Sequence, residues 1–230
     1  MRRRRRGGRR RRKPTRPQDP QQQQPLTPED SQAAPEPLSP EAPAIEEHAE
    51  EHHHQRAETV VEEHRARAAV AVGAGRIVCA IISVSDTRNA RTDVSGRTIR
   101  NSLTKDPFRI KKSTIVKDEP SDIRRTILDL LGDDEVKVII LTGGTGIGSR
   151  DRTIEVLQNF FEKELHGFGE IFRNLSYREI GPAAMLSRAS AGIARRKFIA
   201  CLPGSPQAVT LALEKILIPE LPHIVDMLSR

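Results

Sequence analysis

The sequence predicts an α/β sandwich with a mostly parallel sheet, and three observations carry that prediction. The runs Ile77–Val84, Val138–Leu141 and Phe198–Leu202 are continuously apolar, as in strands buried on both faces. Stretches with helical spacing lie between them, so strands and helices alternate along the chain. Polar or glycine-rich segments follow the strands: Ser85-Asp86, Asp118-Glu119, Gly143–Asp151 and Pro203–Pro206. Right-handed crossovers place every parallel strand's carboxyl end on one edge, which is where open α/β sheets bind ligands. The polar segments therefore converge on one candidate site.

Each element follows from local pattern. Ile77–Val84 opens the domain and runs into the polar loop Ser85–Asn89. Thr92–Gly96 precedes a helix expected from Arg97 to about Lys105, with Ile99 and Leu103 inward. Phe108–Lys117 contains a strand that alternates around Ile110 and Ile115. Ser121 or Asp122 is expected to cap a helix carrying Ile123, Ile127, Leu130 and Leu131, and Gly132 to end it as a C′ glycine. Val138–Leu141 is the next strand. Gly143, Gly144, Gly146 and Gly148 follow, and then Asp151, a favoured N-cap type, precedes a helical pattern at Ile154, Val156, Leu157, Phe160 and Phe161. After Gly167–Glu170 and the short segment Ile171–Leu175 the pattern weakens, and Ser187–Ala194 is compatible with strand or helix. Phe198–Leu202 is the last strand. Helices are expected from Gln207 to about Leu217 and again after Pro219.

Residues 1–75 stand outside this alternation. Residues 2–16 hold eleven Arg or Lys, and residues 17–64 are rich in Pro, Gln, Glu and His with almost no bulky apolar side chains. Such a stretch buries too little surface to offset the entropy of ordering it, so a disordered tail is expected ahead of a domain spanning residues 76–230. The arginine run can neutralise phosphates, but no aromatics interleave it, so specific nucleic-acid recognition is not expected. A start downstream of it is a further reading, at a codon other than Met because the next methionine is Met185. His48, His52, His53, His54 and His64 lie among glutamates without a fixed scaffold, and no metal site is assigned to them. Of the net charge of +7, only +5 falls after residue 75, too little to argue for nucleic acid. No apolar run approaches the ~18 residues of a membrane helix, and the basic N-terminus lacks the apolar core of a secretory signal. Cys79 and Cys201 fall in expected buried strands, as reduced thiols of a cytoplasmic protein.

The glycine loop and its neighbours carry the chemistry. Glycines let backbone N–H groups approach an anion, and a helix N-terminus adds partial positive charge. The loop is not a Walker A loop, for no Gly-Lys-Ser/Thr follows, and Ser149 stands where G-x-G-x-x-G needs its third glycine. A glycine-rich connection without a ligand is the plain alternative. Asp118 and Asp151 at neighbouring strand ends suit Mg²⁺, which is commonly held by one or two carboxylates with phosphates and waters completing its shell. Loop and carboxylates together suggest a Mg-nucleotide. Nucleotidyl or phosphoryl transfer needs positioning and charge neutralisation rather than a covalent nucleophile, and neither a Ser–His nor a Cys–His arrangement is evident around His166 and His223. The plain reading makes both aspartates helix caps, and for Asp151 the two roles are compatible.

Thr142-Gly-Gly-Thr-Gly146 followed by Arg150-Asp151, with Asp93-Val-Ser-Gly96 upstream and Gly167-Phe-Gly-Glu-Ile-Phe-Arg173 and Pro203-Gly-Ser-Pro206 downstream, resembles the MoaB/MogA family of molybdenum cofactor biosynthesis proteins. The likeness covers about residues 76–230. It implies a three-layer α/β/α fold, a homotrimer or homohexamer, and Mg-ATP-dependent adenylylation of molybdopterin with release of pyrophosphate. Gephyrin and plant homologues fuse the same domain to others. The resemblance puts the family's two carboxylates, catalytic and magnesium-holding, on Asp118 and Asp151. It sets Thr142, Gly143, Gly144, Thr145 and Gly146 against nucleotide and pterin phosphate. Glu170, Pro203, Gly204 and Ser205 would line the pterin side, with Ser85 and Ser95 nearby. Molybdopterin, ATP and other proteins of the cofactor pathway are the implied partners. A non-catalytic molybdopterin-binding or assembly module of the same pathway is the alternative.

Overall fold

The computed structural model describes residues 59–60, 62–63, 65–66 and 77–230. The histidine cluster and nearly all of the expected tail therefore lie outside the described residues. Those described between residues 59 and 66 are helical, and Arg65 pairs with Glu220.

Six strands, β1 (Ile77–Val84), β2 (Phe108–Val116), β3 (Val138–Thr142), β4 (Lys163–Glu164), β5 (Ser190–Ala194) and β6 (Lys197–Leu202), form one sheet in the order β2-β1-β3-β6-β5-β4. The four strands β2, β1, β3 and β6 run parallel, while β5 is antiparallel to both of its neighbours. Within residues 77–230 six α-helices flank it: α1 (Val94–Ser102), α2 (Pro120–Leu131), α3 (Thr153–Gln158), α4 (His166–Ile180), α5 (Pro206–Ala212) and α6 (Ile218–Ser229). A 3-10 turn, Gly181–Leu186, follows α4, and a π turn, Leu213–Leu217, joins α5 to α6.

Side chains of β1 divide between two cores. Ile77, Cys79 and Ile81 pack with Ile99 of α1, Phe172 of α4, Val209 of α5 and Leu221 of α6. Val78, Ala80, Ile82 and Val84 pack with Ile123 and Ile127 of α2 and with Ile154 and Leu157 of α3. The fold is thus a three-layer α/β/α sandwich. Every residue of β1 is buried, which is why its sequence is apolar apart from Ser83, whose hydroxyl donates to Asp93. Cys79 and Cys201 are buried free thiols, and burial pushes Cys79 up to about 12, far from a reactive thiolate.

Several boundaries differ from expectation for local reasons. Helix α1 begins at Val94, three residues before Arg97, because Asp93 caps it. The Asp93 carboxylate accepts the Gly96 N–H at 2.9 Å and the Ser83 hydroxyl at 2.6 Å, all buried. Asp93→Ala removes the cap and leaves that hydroxyl unpartnered, so urea unfolding should show a loss of roughly 2 kcal/mol. Asp93→Asn, which retains an acceptor, should recover part of it.

Neither Ser121 nor Asp122 caps α2. The helix starts on Pro120, whose fixed φ and missing N–H suit the first turn, with Glu119 at the cap position and no side-chain cap bond. Gly132 ends it at φ −81°, in the right-handed region rather than as a left-handed C′ glycine.

Helix α3 is shorter than its pattern. It spans six residues from Thr153, and Arg152, not Asp151, precedes it. Phe160 and Phe161 lie beyond it and still pack against the second core, which explains their apolar spacing. The fifteen-residue α4 is only weakly signalled in the sequence, because Gly167 and Gly169 lower the local propensity. Gly169 has a packing reason: a β-carbon there would lie 2.9 Å from the Ala189 carbonyl oxygen. The open segment Ser187–Ala194 resolves as β5 from Ser190 onward. It pairs with β6 through a tight turn at Arg195 and Arg196, whose φ angles are +48° and +58°.

The order of strands fixes the functional edge. From β1 the sheet grows to β2 on one side and to β3 on the other, so a crevice opens at the carboxyl ends of β1 and β3.

Candidate functional site

Four loops meet at that edge and are bonded to one another. The Ser85 N–H donates to the Val116 carbonyl at 2.9 Å, tying the loop after β1 to the end of β2. Ser85 Oγ accepts the Arg88 N–H at 3.1 Å, which turns the loop back over the crevice. Thr142 Oγ1 donates to the Pro203 carbonyl at 2.9 Å, and the Gly143 N–H to the Leu202 carbonyl at 3.2 Å. Ser95 Oγ and the Arg88 guanidinium both donate to the Gly204 carbonyl, at 2.7 and 3.0 Å. Ser205 caps α5 by accepting the Ala208 N–H. The structure therefore brings together Ser85, Ser95, Thr142, Gly143, Pro203, Gly204 and Ser205. Their polar groups largely serve the frame itself.

Asp118 and Asp151 face the glycine loop. A β-carbon on Gly144 would lie 2.2 Å from Thr153 Oγ1 and 2.9 and 3.0 Å from the two Asp118 carboxylate oxygens. One on Gly146 would lie 2.6 Å from Asp151 Oδ2. Glycine is required here so that the carboxylates can approach the backbone. Thr145 in the same loop is buried. The Gly148 N–H donates to Asp151 Oδ2 at 2.9 Å, so Asp151 closes the loop instead of capping α3. With Gly143 and Gly148 using their N–H groups inside the protein, residues 144–147 hold the loop's candidate anion donors. Helix α3 has six residues, so its dipole adds less than the expected strand–loop–helix unit implied.

Two residues that sequence reasoning left unassigned bind the loops across the crevice. Asp86 Oδ1 accepts the Asp118 N–H at 3.2 Å. The Arg150 guanidinium reaches Asp86 Oδ2 at 2.9 Å and Glu119 Oε1 at 3.1 Å. Arg150 thus pairs with the outer carboxylates and leaves the inner two, Asp118 and Asp151, to each other. The signal was present, since an arginine directly precedes Asp151, but its partners lie 64 and 31 positions away and no spacing rule connects them.

Burial holds the Asp118 carboxyl above its ordinary range, and the carboxylates of Asp151 and Asp86 add to the shift while Arg150 opposes it. Its Oδ1 is buried and has no hydrogen-bond partner among the described residues. Because the folded value is raised, the native state binds the proton more readily than the unfolded chain. Stability should therefore fall as pH rises from the ordinary carboxylate range through the raised value. Asp118→Asn should flatten that slope and melt higher than the parent at neutral pH in EDTA, as calorimetry across pH would show.

Among the described residues, no three His, Cys, Asp or Glu side chains gather as a metal-binding group. Two carboxylates on a glycine loop, one with an orphaned buried oxygen, do fit a hard cation that takes its remaining ligands from phosphates and water.

Glu170 stands apart from this constellation. It is exposed on α4 and lines a recess of about 480 Å³ with Glu155, Glu164, Arg173, Arg188 and Ser190. Arg188 pairs with Glu155 at 2.6 Å. Burial pushes Glu155 up, but that guanidinium, a backbone hydrogen bond and the charge of Arg152 together hold the carboxylate low. Helix α3 links the two places, with Thr153 at the glycine loop and Glu155 at the recess. His166 is largely exposed, and His223 lies on α6, part-buried. No helix among the described residues is long and apolar enough to cross a membrane.

A family model described as a probable molybdopterin binding domain matches residues 80–223. A curated relative, "Molybdenum cofactor biosynthesis protein B" of Bacillus subtilis (strain 168), is 47% identical over 148 residues, covering 64% of this chain and 87% of its own. A crystal structure of a molybdenum cofactor biosynthesis protein B superposes with a TM-score of 0.66 at 42% identity, over 67% of this chain and 97% of that one. The tungsten cofactor synthesizing protein MoaB from Pyrococcus furiosus gives a TM-score of 0.61 at 34% identity, over 69% and 100% of the two chains.

Proposed function

The chain belongs to the MoaB/MogA family of molybdenum cofactor biosynthesis proteins, and from that premise we propose that it adenylylates molybdopterin with Mg-ATP. The observation that supports this reading most is the joint approach of Asp118 and Asp151 to one glycine loop at the switch point of the sheet. Two neighbouring carboxylates held against backbone call for a cation, and a glycine loop beside them suits a polyphosphate.

In the proposed reaction an oxygen of the pterin's terminal phosphate attacks the α-phosphorus of ATP. A new P–O bond forms, the bond from the α-phosphorus to the bridging oxygen breaks, and pyrophosphate leaves with that electron pair. A magnesium ion held by Asp118 and Asp151 would supply positive charge against the triphosphate. The remaining work falls to this chain's own groups. Amides of residues 144–147 would orient phosphate oxygens. The frame of Thr142, Ser95 and Arg88 holds Pro203 and Gly204 rigidly beside them, so two anionic reactants meet in fixed geometry. Glu170, with Arg173 and Arg188 in the neighbouring recess, is proposed to receive part of the pterin.

The domain is proposed to begin near residue 76, and self-association into a trimer or hexamer to cover the exposed apolar side chains Ile171, Tyr177, Ile180 and Met185. The deciding experiment incubates the full chain with molybdopterin, ATP and MgCl₂ and follows pyrophosphate and adenylylated pterin. Product that vanishes in EDTA supports the enzyme. Pterin binding without pyrophosphate release would assign a binding or assembly role and reject catalysis.

A further inference from the structure

We propose that Thr153 is a positioning residue of the cation site, its buried hydroxyl holding the Asp118 carboxylate in place beside Asp151. The proposal rests on the reading of that crevice given above. Thr153 is the first residue of α3 and is 0% exposed. Its Oγ1 is buried with no hydrogen-bond partner among the described residues, and so is Asp118 Oδ1. Both orphaned atoms face the same bare α-carbon, since a β-carbon on Gly144 would lie 2.2 Å from the hydroxyl and 2.9 Å from the carboxylate oxygen.

The fold gives this hydroxyl no other task. Arg152 occupies the cap position of α3, so Thr153 does not cap the helix with its side chain. Packing at a buried site is served as well by valine, which has the same shape and no polar atom to leave unpaired. The backbone of Thr153 is pinned, with its N–H donating to the Gly144 carbonyl at 3.1 Å, and a β-branched side chain is stiff about χ1. The hydroxyl is thus held beside Asp118 Oδ1, both atoms crowding one β-carbon position at Gly144. Donation from Thr153 Oγ1 to Asp118 Oδ1 satisfies both atoms and leaves the second carboxylate oxygen for a cation. Partners that orient a ligating carboxylate in this way affect metal affinity by about ten-fold or more.

The test uses the full chain with Thr153→Val and Thr153→Ser. Mn²⁺ binding is measured by titration calorimetry with MnCl₂, and melting is followed in EDTA and in MgCl₂. Thr153→Val should melt at or above the parent in EDTA, should bind Mn²⁺ about ten-fold more weakly, and should gain less melting temperature from Mg²⁺. Thr153→Ser should bind like the parent. Mn²⁺ affinity equal in Thr153→Val and the parent overturns the proposal while leaving the crevice reading intact. Equal loss in both variants also overturns it, because the methyl group rather than the hydroxyl would then matter. A parent chain that binds no Mn²⁺ removes the crevice reading and this proposal with it. If the valine variant does not fold, Thr153→Ala replaces it with the same two readouts.

Discussion

Asp151→Ala should lower adenylyl transfer roughly a hundred-fold or more, the scale on which preorganised electrostatic groups act, while the chain stays folded. The two halves of this expectation have separate causes. Asp151 accepts only the exposed Gly148 N–H within the loop, and water can replace that bond, so the structural loss should be no more than about 1 kcal/mol. Its charge has no such substitute. With Asp118 alone, one carboxylate faces the triphosphate's counter-ion instead of two. Asp151→Asn separates the contributions further, since the amide oxygen can still accept from Gly148 while the charge is gone. Transfer rates for the three chains at saturating Mg-ATP, with melting curves alongside, decide the matter. Near-parental turnover in Asp151→Ala removes Asp151 from the chemistry. A loss in Ala that Asn fully restores would make it a loop residue only.

The layers of the fold were legible because the sheet imposes a strong pattern. β1, β3 and β6 are buried on both faces, so their sequences are apolar except for Ser83, Thr142 and Lys197, each of which is hydrogen-bonded. The loop positions of the candidate site were legible for a related reason: a polar or glycine-rich break after such a run lies at the carboxyl edge of the sheet. Contacts that span the edge were not. Arg150 reaches Asp86 and Glu119 from a different loop, and Arg88 reaches Gly204 across 116 positions. Thr153 carries no signal in the sequence, and only the absence of a partner for its hydroxyl among the described residues sets it apart. Asp93 and Asp151 show how a propensity misleads. Both have the residue type of an N-cap, but Asp93 caps the helix three residues before the apolar pattern becomes clear, whereas Asp151 turns back into the loop. Competing backbone N–H donors decided between the two, Gly96 for Asp93 and Gly148 for Asp151, and a one-dimensional reading does not weigh them.

Gly143→Ala should destabilise the domain by roughly 3 kcal/mol, the combined scale of a disfavoured backbone region and an overpacked core position. Gly143 sits at φ +96°, where L side chains rarely go, and a β-carbon there would lie 2.3 Å from the Val84 carbonyl oxygen. That oxygen belongs to the last residue of a fully buried strand, so it has no cheap way to retreat. Gly143 also donates its N–H to the Leu202 carbonyl, and through it the loop is registered against β6. Displacement of Gly143 therefore moves Thr142 relative to Pro203 and opens the frame under Gly204. The effect on stability and the effect on the site should appear together, as a lower urea midpoint and a weakened Mn²⁺ isotherm. Gly144→Ala provides the contrast, because its β-carbon would meet Thr153 Oγ1 and the Asp118 carboxylate, groups of the crevice rather than sheet backbone. It should impair Mn²⁺ binding at least as severely with a smaller loss of stability. If Gly143→Ala unfolds at the parental urea concentration, β3 does not deliver the loop in the strained conformation described here, and the crevice must be held open by something else.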